Sequence, residues 1–209
     1  MKPAQPAGRG KIRIVGGVWR SRQISVPPLE GLRPTPGRVR QTVFDWLATL
    51  WPSQGHSLSG MRVLDAFAGS GAMGFEAASR GAFSVHCVEN HPRALASLRE
   101  AKDWLNAGTV RIHAGDALAF MDAAAALGER FDLIILDPPF ASSLALGALE
   151  RAARCLAPEA LVYLETDRPW DALRGALACV DYRVLRRARA GAVHYHLLRH
   201  QARGSEELG

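Results

Sequence analysis

The sequence predicts an α/β fold with a mostly parallel sheet, an antiparallel closing hairpin and a small N-terminal β-hairpin/helix extension. From residue 61 onward, short apolar runs alternate with stretches of helical periodicity. Two further apolar runs near the end are joined by the short connection Arg189-Ala190-Gly191. Strands that alternate with helices form right-handed βαβ units around a buried parallel sheet, whereas a short connection pairs antiparallel strands.

The N-terminal elements come first in the chain. Residues 12–26 contain two β-rich runs separated by glycine and polar residues, which is typical of a hairpin. Residues 37–50 carry apolar side chains at helical spacing. Strands are then predicted at 62–67, 83–89, 109–115, 131–137 and 160–166, with helices at 72–80, 92–106, 116–127 and 142–157 between or after them. A helix at 169–179 and strands at 182–188 and 192–198 complete the chain.

A polar stretch before residue 61 predicts a domain boundary near residue 55. We expect a disordered tail at 1–11, the basic hairpin and helix extension at 12–55, the main domain at 56–200 and a second disordered tail at 201–209.

The composition excludes several classes of protein. Of the 209 residues, 48% are hydrophobic, which excludes a chain that is disordered overall. Three cysteines are too few for a disulfide scaffold, and no apolar run approaches the ~20 residues that span a bilayer. The N-terminal residues lack the apolar block of a secretory signal. We therefore expect a cytoplasmic, monomeric protein with no membrane contact.

The net charge of +6 is unevenly distributed along the chain. Residues 1–40 hold nine basic side chains and one acidic side chain, and residues 181–209 hold six and three. Residues 41–180 hold eleven basic and sixteen acidic side chains. Such asymmetry predicts a polyanionic partner, although a basic run alone also serves solubility. The basic residues predicted to contact it are Arg13, Arg20, Arg22, Arg38 and Arg40.

A glycine motif lies between the first strand and the first helix of the main domain. Gly69, Gly71 and Gly74 form GxGxxG, and Glu89 ends the next strand twenty positions after Gly69. Such glycines allow a tight turn and close approach of a ligand, while the acidic residue accepts hydrogen bonds from ribose hydroxyls. This context predicts a Rossmann-like sheet that binds a nucleoside-containing ligand; close helix–sheet packing is the alternative reason for the glycines.

Two acidic residues favour S-adenosylmethionine (AdoMet) over NAD. Asp65 directly precedes the glycine loop, where its charge repels a pyrophosphate but attracts an ammonium or sulfonium group. Asp116 follows the third strand and offers an acceptor to an adenine amino group. The predicted cofactor-binding set also includes the neighbouring Phe67, Asn90 and Ala117.

The fourth strand ends in Asp137-Pro138-Pro139-Phe140. The prolines fix the backbone and leave carbonyl groups without helical partners. Asp137 and the Pro138 carbonyl are predicted to accept the two hydrogens of a planar amine, with Phe140 stacked on its ring. A strand-ending turn with a core phenylalanine is the alternative, which the position of the motif at this strand end disfavours.

The sequence resembles the RsmD-type AdoMet-dependent methyltransferases of bacterial small-subunit ribosomal RNA. The resemblance lies in RIVGGVWRSRQISVP (13–27), LRPTPGRVRQTVFDWL (32–47), VLDAFAGSGAMGFEAASRGA (63–82), VEN (88–90), LDPPF (136–140) and the closing hairpin. It implies a Rossmann-like AdoMet methyltransferase sheet that methylates the exocyclic N2 amine of a guanine in 16S rRNA or in the assembling small ribosomal subunit. It also makes Arg33, Thr35 and Pro36 candidates, with Thr35 and Pro36 lining the AdoMet pocket and Arg33 facing RNA.

Three other functions remain open. A DNA adenine or cytosine amino-methyltransferase and a protein-glutamine methyltransferase use a similar amine cradle, whereas a non-enzymatic RNA-binding module would explain only the charge. Trp19 suits either stacking on RNA bases or packing of the hairpin onto the main domain. His194 and His196 share one strand face, but they lack further ligands at metal-site spacing and are expected at the surface or in a groove, so no metal is expected.

Overall fold

The structure is a computed structural model that describes residues 10–29, 34–51, 58–139, 144–177 and 180–201. Arg33, Phe140 and most of the two predicted tails lie outside the described residues. Two elements begin or end inside those predicted tails, since the first strand starts at Gly10 and the last ends at Gln201. Within the described ranges, no helix is both long and apolar enough to cross a lipid bilayer.

A central sheet of seven strands confirms the predicted α/β class. Its order is β5-β4-β3-β6-β7-β9-β8, and a separate two-stranded sheet pairs β1 with β2. The strands are β1 (Gly10–Arg13), β2 (Gln23–Val26), β3 (Arg62–Asp65), β4 (Ser84–Glu89), β5 (Val110–Ala114), β6 (Phe131–Leu136), β7 (Leu156–Thr166), β8 (Asp181–Ala190) and β9 (Val193–Gln201). Strands β3 to β7 pair in parallel, and β9 pairs antiparallel with both β7 and β8.

The helices are α1 (Gly37–Leu50), α2 (Ala72–Ser79), α3 (Pro92–Leu105), α4 (Ala117–Ala126), α5 (Leu144–Ala153) and α6 (Trp170–Arg174). The helix predicted at 142–157 is too long, because α5 ends at Ala153 and β7 already begins at Leu156. Pro158 cannot donate the backbone hydrogen bond that a continuing helix requires. The helix predicted at 169–179 is likewise shorter, since α6 ends at Arg174.

The N-terminal elements share one hydrophobic core with the sheet. Ile14 and Ile24 of the hairpin and Phe44 of α1 belong to the same buried cluster as Val63 of β3 and Leu161 of β7. A second cluster fills the opposite face of the sheet. Removing apolar area from water stabilises folding by roughly 25 cal/mol per Å². The extension therefore covers one face of the sheet and depends on it for burial.

Glu76 of α2 joins the extension to the sheet domain. Its side chain is fully buried and accepts hydrogen bonds from the backbone N–H groups of Val15 at 2.9 Å and Gly16 at 2.7 Å. Arg80 donates to it at 3.0 Å, and the Arg40 Nε atom lies 3.6 Å away. A buried carboxylate of this kind is stable only when its charge and lone pairs are matched.

The turn after β1 packs against the end of α2. The N–H of Val18 donates to the Ser79 carbonyl at 2.8 Å, and that of Trp19 donates to the Ser79 hydroxyl at 2.9 Å. Gly17 has φ 75°, and an added Cβ would collide with the Ser79 carbonyl. Both the backbone conformation and the close approach therefore require glycine at this position.

Replacing Glu76 with Ala is expected to lower the free energy of unfolding by about 3–5 kcal/mol, because Arg40 would keep its burial and lose its countercharge. The measurement is urea unfolding followed by circular dichroism. Asp103→Ala, which removes an exposed acidic side chain from α3, is the control and should change stability by less than about 0.5 kcal/mol. Equal effects of the two substitutions would contradict this role of Glu76.

Candidate active site

Four acidic residues lie at the carboxyl edge of the parallel strands. Asp65 ends β3, Glu89 ends β4, Asp137 follows β6 and Glu165 lies next to the end of β7. Ligand sites of open α/β sheets lie outside this edge, where neighbouring strands lead into loops of opposite direction. The strand ends therefore bring together residues that are up to 100 positions apart in the sequence.

Three of these carboxylates belong to the same face of the sheet. In the parallel register Asp65 pairs with Ile135, and Leu136 pairs with Leu164, so Asp137 and Glu165 follow at adjacent positions. Successive side chains of a strand alternate between faces. Asp65, Asp137 and Glu165, named here the carboxylate cluster, accordingly project to the side covered by the N-terminal extension.

Asp65 is buried, with 2% of its surface exposed, and its Oδ2 accepts the N–H of Gly74 at 2.9 Å. Burial raises the pKa of this carboxyl to about 7, and the nearby charges of Glu89 and Glu165 add to the effect. The Gly74 hydrogen bond acts in the opposite direction. A cation bound at the cluster would favour the ionised form of Asp65.

Glu89 holds the glycine loop against the end of β4. Its Oε2 accepts the N–H of Gly69 at 2.8 Å, and its Oε1 accepts those of Asn90 at 2.9 Å and His91 at 2.7 Å. A carboxylate offers about four acceptor positions, so with respect to the described part of the chain Oε2 retains one for a ligand hydroxyl. Asn90 is exposed and takes part through its backbone.

Packing accounts for two glycines of the motif. Gly71 precedes α2 with φ 76°, and an added Cβ would meet the Phe75 ring at 2.6 Å. At Gly74 an added Cβ would lie 2.6 Å from the Cys87 Sγ atom. Gly69 also has a positive φ of 51° and is only partly buried. Close packing thus explains Gly71 and Gly74, while Gly69 leaves backbone accessible in the loop.

Asp137 is the partly exposed member of the carboxylate cluster. Pro138 beside it is buried, and Pro139 is exposed. Burial raises the pKa of the Asp137 carboxyl well above its ordinary value, and the charges of Glu165 and Asp65 contribute. Asp137 is therefore the carboxylate of the cluster that a substrate group reaches first.

Glu165 is a site residue that the sequence prediction missed. It is 5% exposed, and its Oε1 accepts the hydroxyl of Tyr163 at 2.6 Å. Burial raises its pKa, while hydrogen bonds from the hydroxyls of Tyr163 and Thr35 act against this shift. The sequence does contain a signal for Glu165, because it is an acidic residue near the end of the predicted strand that follows Asp137 in the chain. Pairing of β6 with β7 is what makes it adjacent.

The other predicted cofactor residues lie at or near the same edge of the sheet. Asp116 is exposed and caps α4, since its Oδ1 accepts the N–H of Ala119 at 2.8 Å. Ala117 is buried, and Phe67 is partly buried against the second core cluster. Thr35 contacts Glu165 as described, and the exposed Pro36 precedes α1.

Arg40 does not face solvent, so the prediction that it contacts a polyanion is wrong. It is 2% exposed, donates to the carbonyls of Arg13 and Thr35, and forms the ion pair with Glu76. Because Arg40 lies on the buried face of α1, its charge is used in this internal ion pair and is not available to a ligand. The predicted surface residues Arg13, Arg20, Arg22 and Arg38 are exposed.

Trp19 packs partly buried against the first core cluster. The turn that carries Trp19 and Arg20 contacts the C-terminal end of α2, so it lies about 12 Å, the length of that helix, from the glycine loop.

The β8–β9 turn lies closer to the carboxyl edge, because Thr166 pairs with His194. That hairpin adds exposed arginines outside the predicted set, at positions 183, 186, 187 and 189.

His196 is a second correction, because it lies in the interior rather than at the surface. It is 1% exposed, and its ring centroid is 6.2 Å from that of Trp170 and 6.4 Å from that of His194. Burial lowers the pKa of His196 to about 4. In the described part of the chain, no group of three or more potential ligands is arranged to hold a metal ion.

The carboxylate cluster fits a cationic ligand. Neighbouring buried carboxylates raise one another's pKa, and a positive charge between them offsets the cost of their ionisation. Glu89 with its free acceptor position and Asp116 beyond β5 extend the same edge toward a nucleoside. The residues present therefore suit a ligand with a nucleoside at one end and positive charge at the other, as in AdoMet.

Comparison with known proteins identifies the family. Residues 12–199 match the family described as conserved hypothetical protein 95. Ribosomal RNA small subunit methyltransferase D of Escherichia coli strain K12 is 35% identical over 212 residues, which cover 99% of this chain and 99% of that protein. The protein of the same name from Haemophilus influenzae is 33% identical, with 94% and 98% coverage. The solved structure of yhhF from Escherichia coli has a TM-score of 0.74 at 32% identity, covering 93% of this chain and 100% of that chain. The chain belongs to this family, the RsmD-type AdoMet-dependent methyltransferases.

Proposed function

We propose that this chain methylates the exocyclic N2 amine of a guanine in 16S rRNA within the assembling small ribosomal subunit, in the cytoplasm. Its relatives of Escherichia coli and Haemophilus influenzae are named ribosomal RNA small subunit methyltransferase D. The observation that carries the proposal is the partly exposed Asp137, followed by the buried Pro138, beside two buried carboxylates. This arrangement accepts the hydrogens of an amine next to a site for a cation.

The cofactor-binding part of the proposal assigns one task to each acidic residue. Glu89 accepts a ribose hydroxyl at its free Oε2 position, and Asp116 accepts from the adenine amino group with the oxygen that does not cap α4. Asp65 faces the positive charge. When bound, AdoMet supplies the activated methyl group.

The reacting amine is held by Asp137 and the carbonyl of Pro138. Each accepts one amine hydrogen, which withdraws the nitrogen lone pair from conjugation with the ring and directs it toward the methyl group. Positioning of this kind supplies much of the catalysis in transfer between two bound molecules. Asp137 acts as a polarising acceptor, and once the nitrogen is cationic after the transfer its proton is lost to solvent, which reaches the partly exposed Asp137. Phe140 is proposed to stack on the base.

RNA is proposed to contact an N-terminal basic surface, which consists of the exposed residues Arg13, Arg20, Arg22 and Arg38. The proposal extends this contact to Arg33 and Trp19. Arginine pairs well with phosphate, and such contacts release counterions from the nucleic acid. The net charge of the whole chain, +6, favours the same encounter.

The substrate class is tested by offering radiolabelled AdoMet to assembled small subunits, free 16S rRNA, DNA and a protein mixture. We expect label in ribosomal RNA, and N2-methylguanosine in its nuclease digest by mass spectrometry. Label confined to DNA or to protein, or methyladenosine in the digest, would refute the proposed substrate. The binding of AdoMet, measured by calorimetry, reports separately that the cofactor site is intact.

Replacing Asp137 with Ala is expected to lower the rate of methyl transfer by at least about 100-fold, because the amine loses one of its two hydrogen-bond acceptors. The rate is measured with saturating AdoMet, so that a change in cofactor affinity from the carboxylate cluster does not affect it, and AdoMet binding should still be detected. Asp132→Ala changes a partly buried acidic residue at the opposite end of β6 and is the control for general effects on this strand. Near-normal turnover of Asp137→Ala would remove Asp137 from the active site.

AdoMet affinity is expected to rise with pH between about 6 and 8. Asp65, with its pKa of about 7, is neutral below this range and attracts the cofactor only once ionised. Below the pKa the affinity should fall by up to about tenfold per pH unit from this group. Calorimetry measures AdoMet affinity across this pH range. The variant Asp65→Asn cannot ionise at this position, so its pH profile shows the titration of the cofactor itself. Identical profiles of the two proteins would contradict the assignment.

Replacing Arg20 and Arg22 with Ala is expected to weaken RNA binding and its salt dependence together. Each lost phosphate contact reduces the log–log slope of affinity against salt by about 0.7 to 0.9. Filter binding of 16S rRNA at several salt concentrations measures the slope. The double variant Arg111→Ala with Arg130→Ala removes two exposed arginines outside the N-terminal basic surface and should leave the slope unchanged. A slope that is the same in both double variants would exclude this surface.

A further inference from the structure

Glu165 and Asp137 form a pair of acceptors whose spacing is set by the sheet. Leu136 and Leu164 are register partners, so the next residue on each strand is also adjacent. Neighbouring strands lie about 4.8 Å apart. Burial raises the pKa of the Asp137 carboxyl, and the charge of Glu165 adds to this shift, in keeping with their adjacent strand positions.

Two hydroxyl groups orient Glu165 as an acceptor. Tyr163 donates to its Oε1 at 2.6 Å, and Thr35 donates to it from the segment before α1. Burial raises the pKa of Glu165, and because both partners supply a hydrogen they act against this shift and favour the ionised carboxylate. Among the described residues, these two contacts occupy two of its about four acceptor positions and leave the others for a ligand.

The bases differ in whether their Watson–Crick edges can donate hydrogen bonds to such a pair of acceptors. On its Watson–Crick edge, guanine presents an N1–H donor directly beside the N2 amine. Adenine and cytosine instead present a ring nitrogen lone pair beside the amine, which a carboxylate repels. Enzymes that act on a base out of its stack read this edge by hydrogen bonds. Two adjacent carboxylates therefore match guanine and disfavour adenine and cytosine.

We propose that Glu165 is a specificity-determining residue that accepts the N1–H of the target guanine while Asp137 accepts the N2 amine. This inference rests on the proposed function, since it requires guanine N2 to be the methylated group. It assigns to Tyr163 and Thr35 the task of holding Glu165 in place. It also gives the N-terminal segment, through Thr35, a part in base selection.

The test compares guanine with 2-aminopurine, which keeps the N2 amine but lacks the O6 oxygen and the N1–H, and the Glu165 variants identify the part that depends on N1. Small-subunit rRNA is joined from a transcript and a synthetic oligonucleotide that carries either base at the mapped target position. For the unchanged protein we expect methylation of guanine to exceed that of 2-aminopurine by at least about 100-fold. A site built to accept a hydrogen bond rejects an analogue that lacks the donor.

In Glu165→Gln, the amide N–H donates to the N1 lone pair of 2-aminopurine, so the preference for guanine should fall by at least about tenfold. Glu159→Gln, an exposed position on the same strand that pairs with Arg199, is the matched control and should keep the preference. An unchanged preference in Glu165→Gln would overturn the proposal and leave Glu165 as a structural anchor for Thr35.

A second variant covers the case in which Glu165→Gln does not fold. Glu165→Asp keeps the charge but withdraws the carboxylate by one methylene, and the guanine preference should again fall by about tenfold, whereas an unchanged preference overturns the proposal. The melting temperature of each variant reports folding, and the preference is measured at saturating AdoMet because Glu165 belongs to the carboxylate cluster. If the unchanged protein forms no N2-methylguanosine on the guanine substrate, the proposed function itself fails, and this result is distinct from a lost preference.

Discussion

The buried contact between Glu76 and Arg40 fixes the position of the N-terminal extension on the sheet. Glu76 lies on α2, the helix that follows the glycine loop, and binds the backbone after β1. Arg40 donates to the Thr35 carbonyl at 2.6 Å, and the Thr35 hydroxyl donates to Glu165. A continuous chain of polar contacts thus connects α2 to the carboxylate cluster. A buried ion pair contributes little net stability by itself, but removal of either partner leaves an uncompensated charge.

The distribution of charge on this protein suits two different ligands, a cationic cofactor and a polyanionic RNA. Carboxylates at the carboxyl edge of the sheet are buried together, and burial raises the pKa values of Asp65, Asp137 and Glu165. Neighbouring negative charge adds to the shift at Asp65 and Asp137. This edge is suited to a cationic cofactor and to hydrogen-bond donors on a base. Exposed arginines lie on the hairpin, on α1 and on β8. The sign of the charge therefore changes between the interior of the site and the surface around it.

Local sequence signals predicted most of the fold because each depends on neighbours along the chain. The glycine motif between β3 and α2 and the apolar runs of the parallel strands lie where the periodicity indicates. The boundary between α5 and β7 was harder, since the residues before Pro158 suit either a helix or a strand. Pairing of Leu156 with Phe131 decides it in favour of the strand.

The sequence by itself determined the class of fold and the position of the glycine loop, and it predicted an amine cradle at Asp137, since these are short motifs with characteristic spacing. The family match over residues 12–199 agrees with the predicted class of fold. Only the tertiary structure decided that Arg40 is buried and that Glu165 stands beside Asp137. Burial of a charge depends on which face of α1 meets the sheet, and the adjacency of two carboxylates depends on strand register. Both are set by contacts between residues far apart in the chain, which no local pattern encodes.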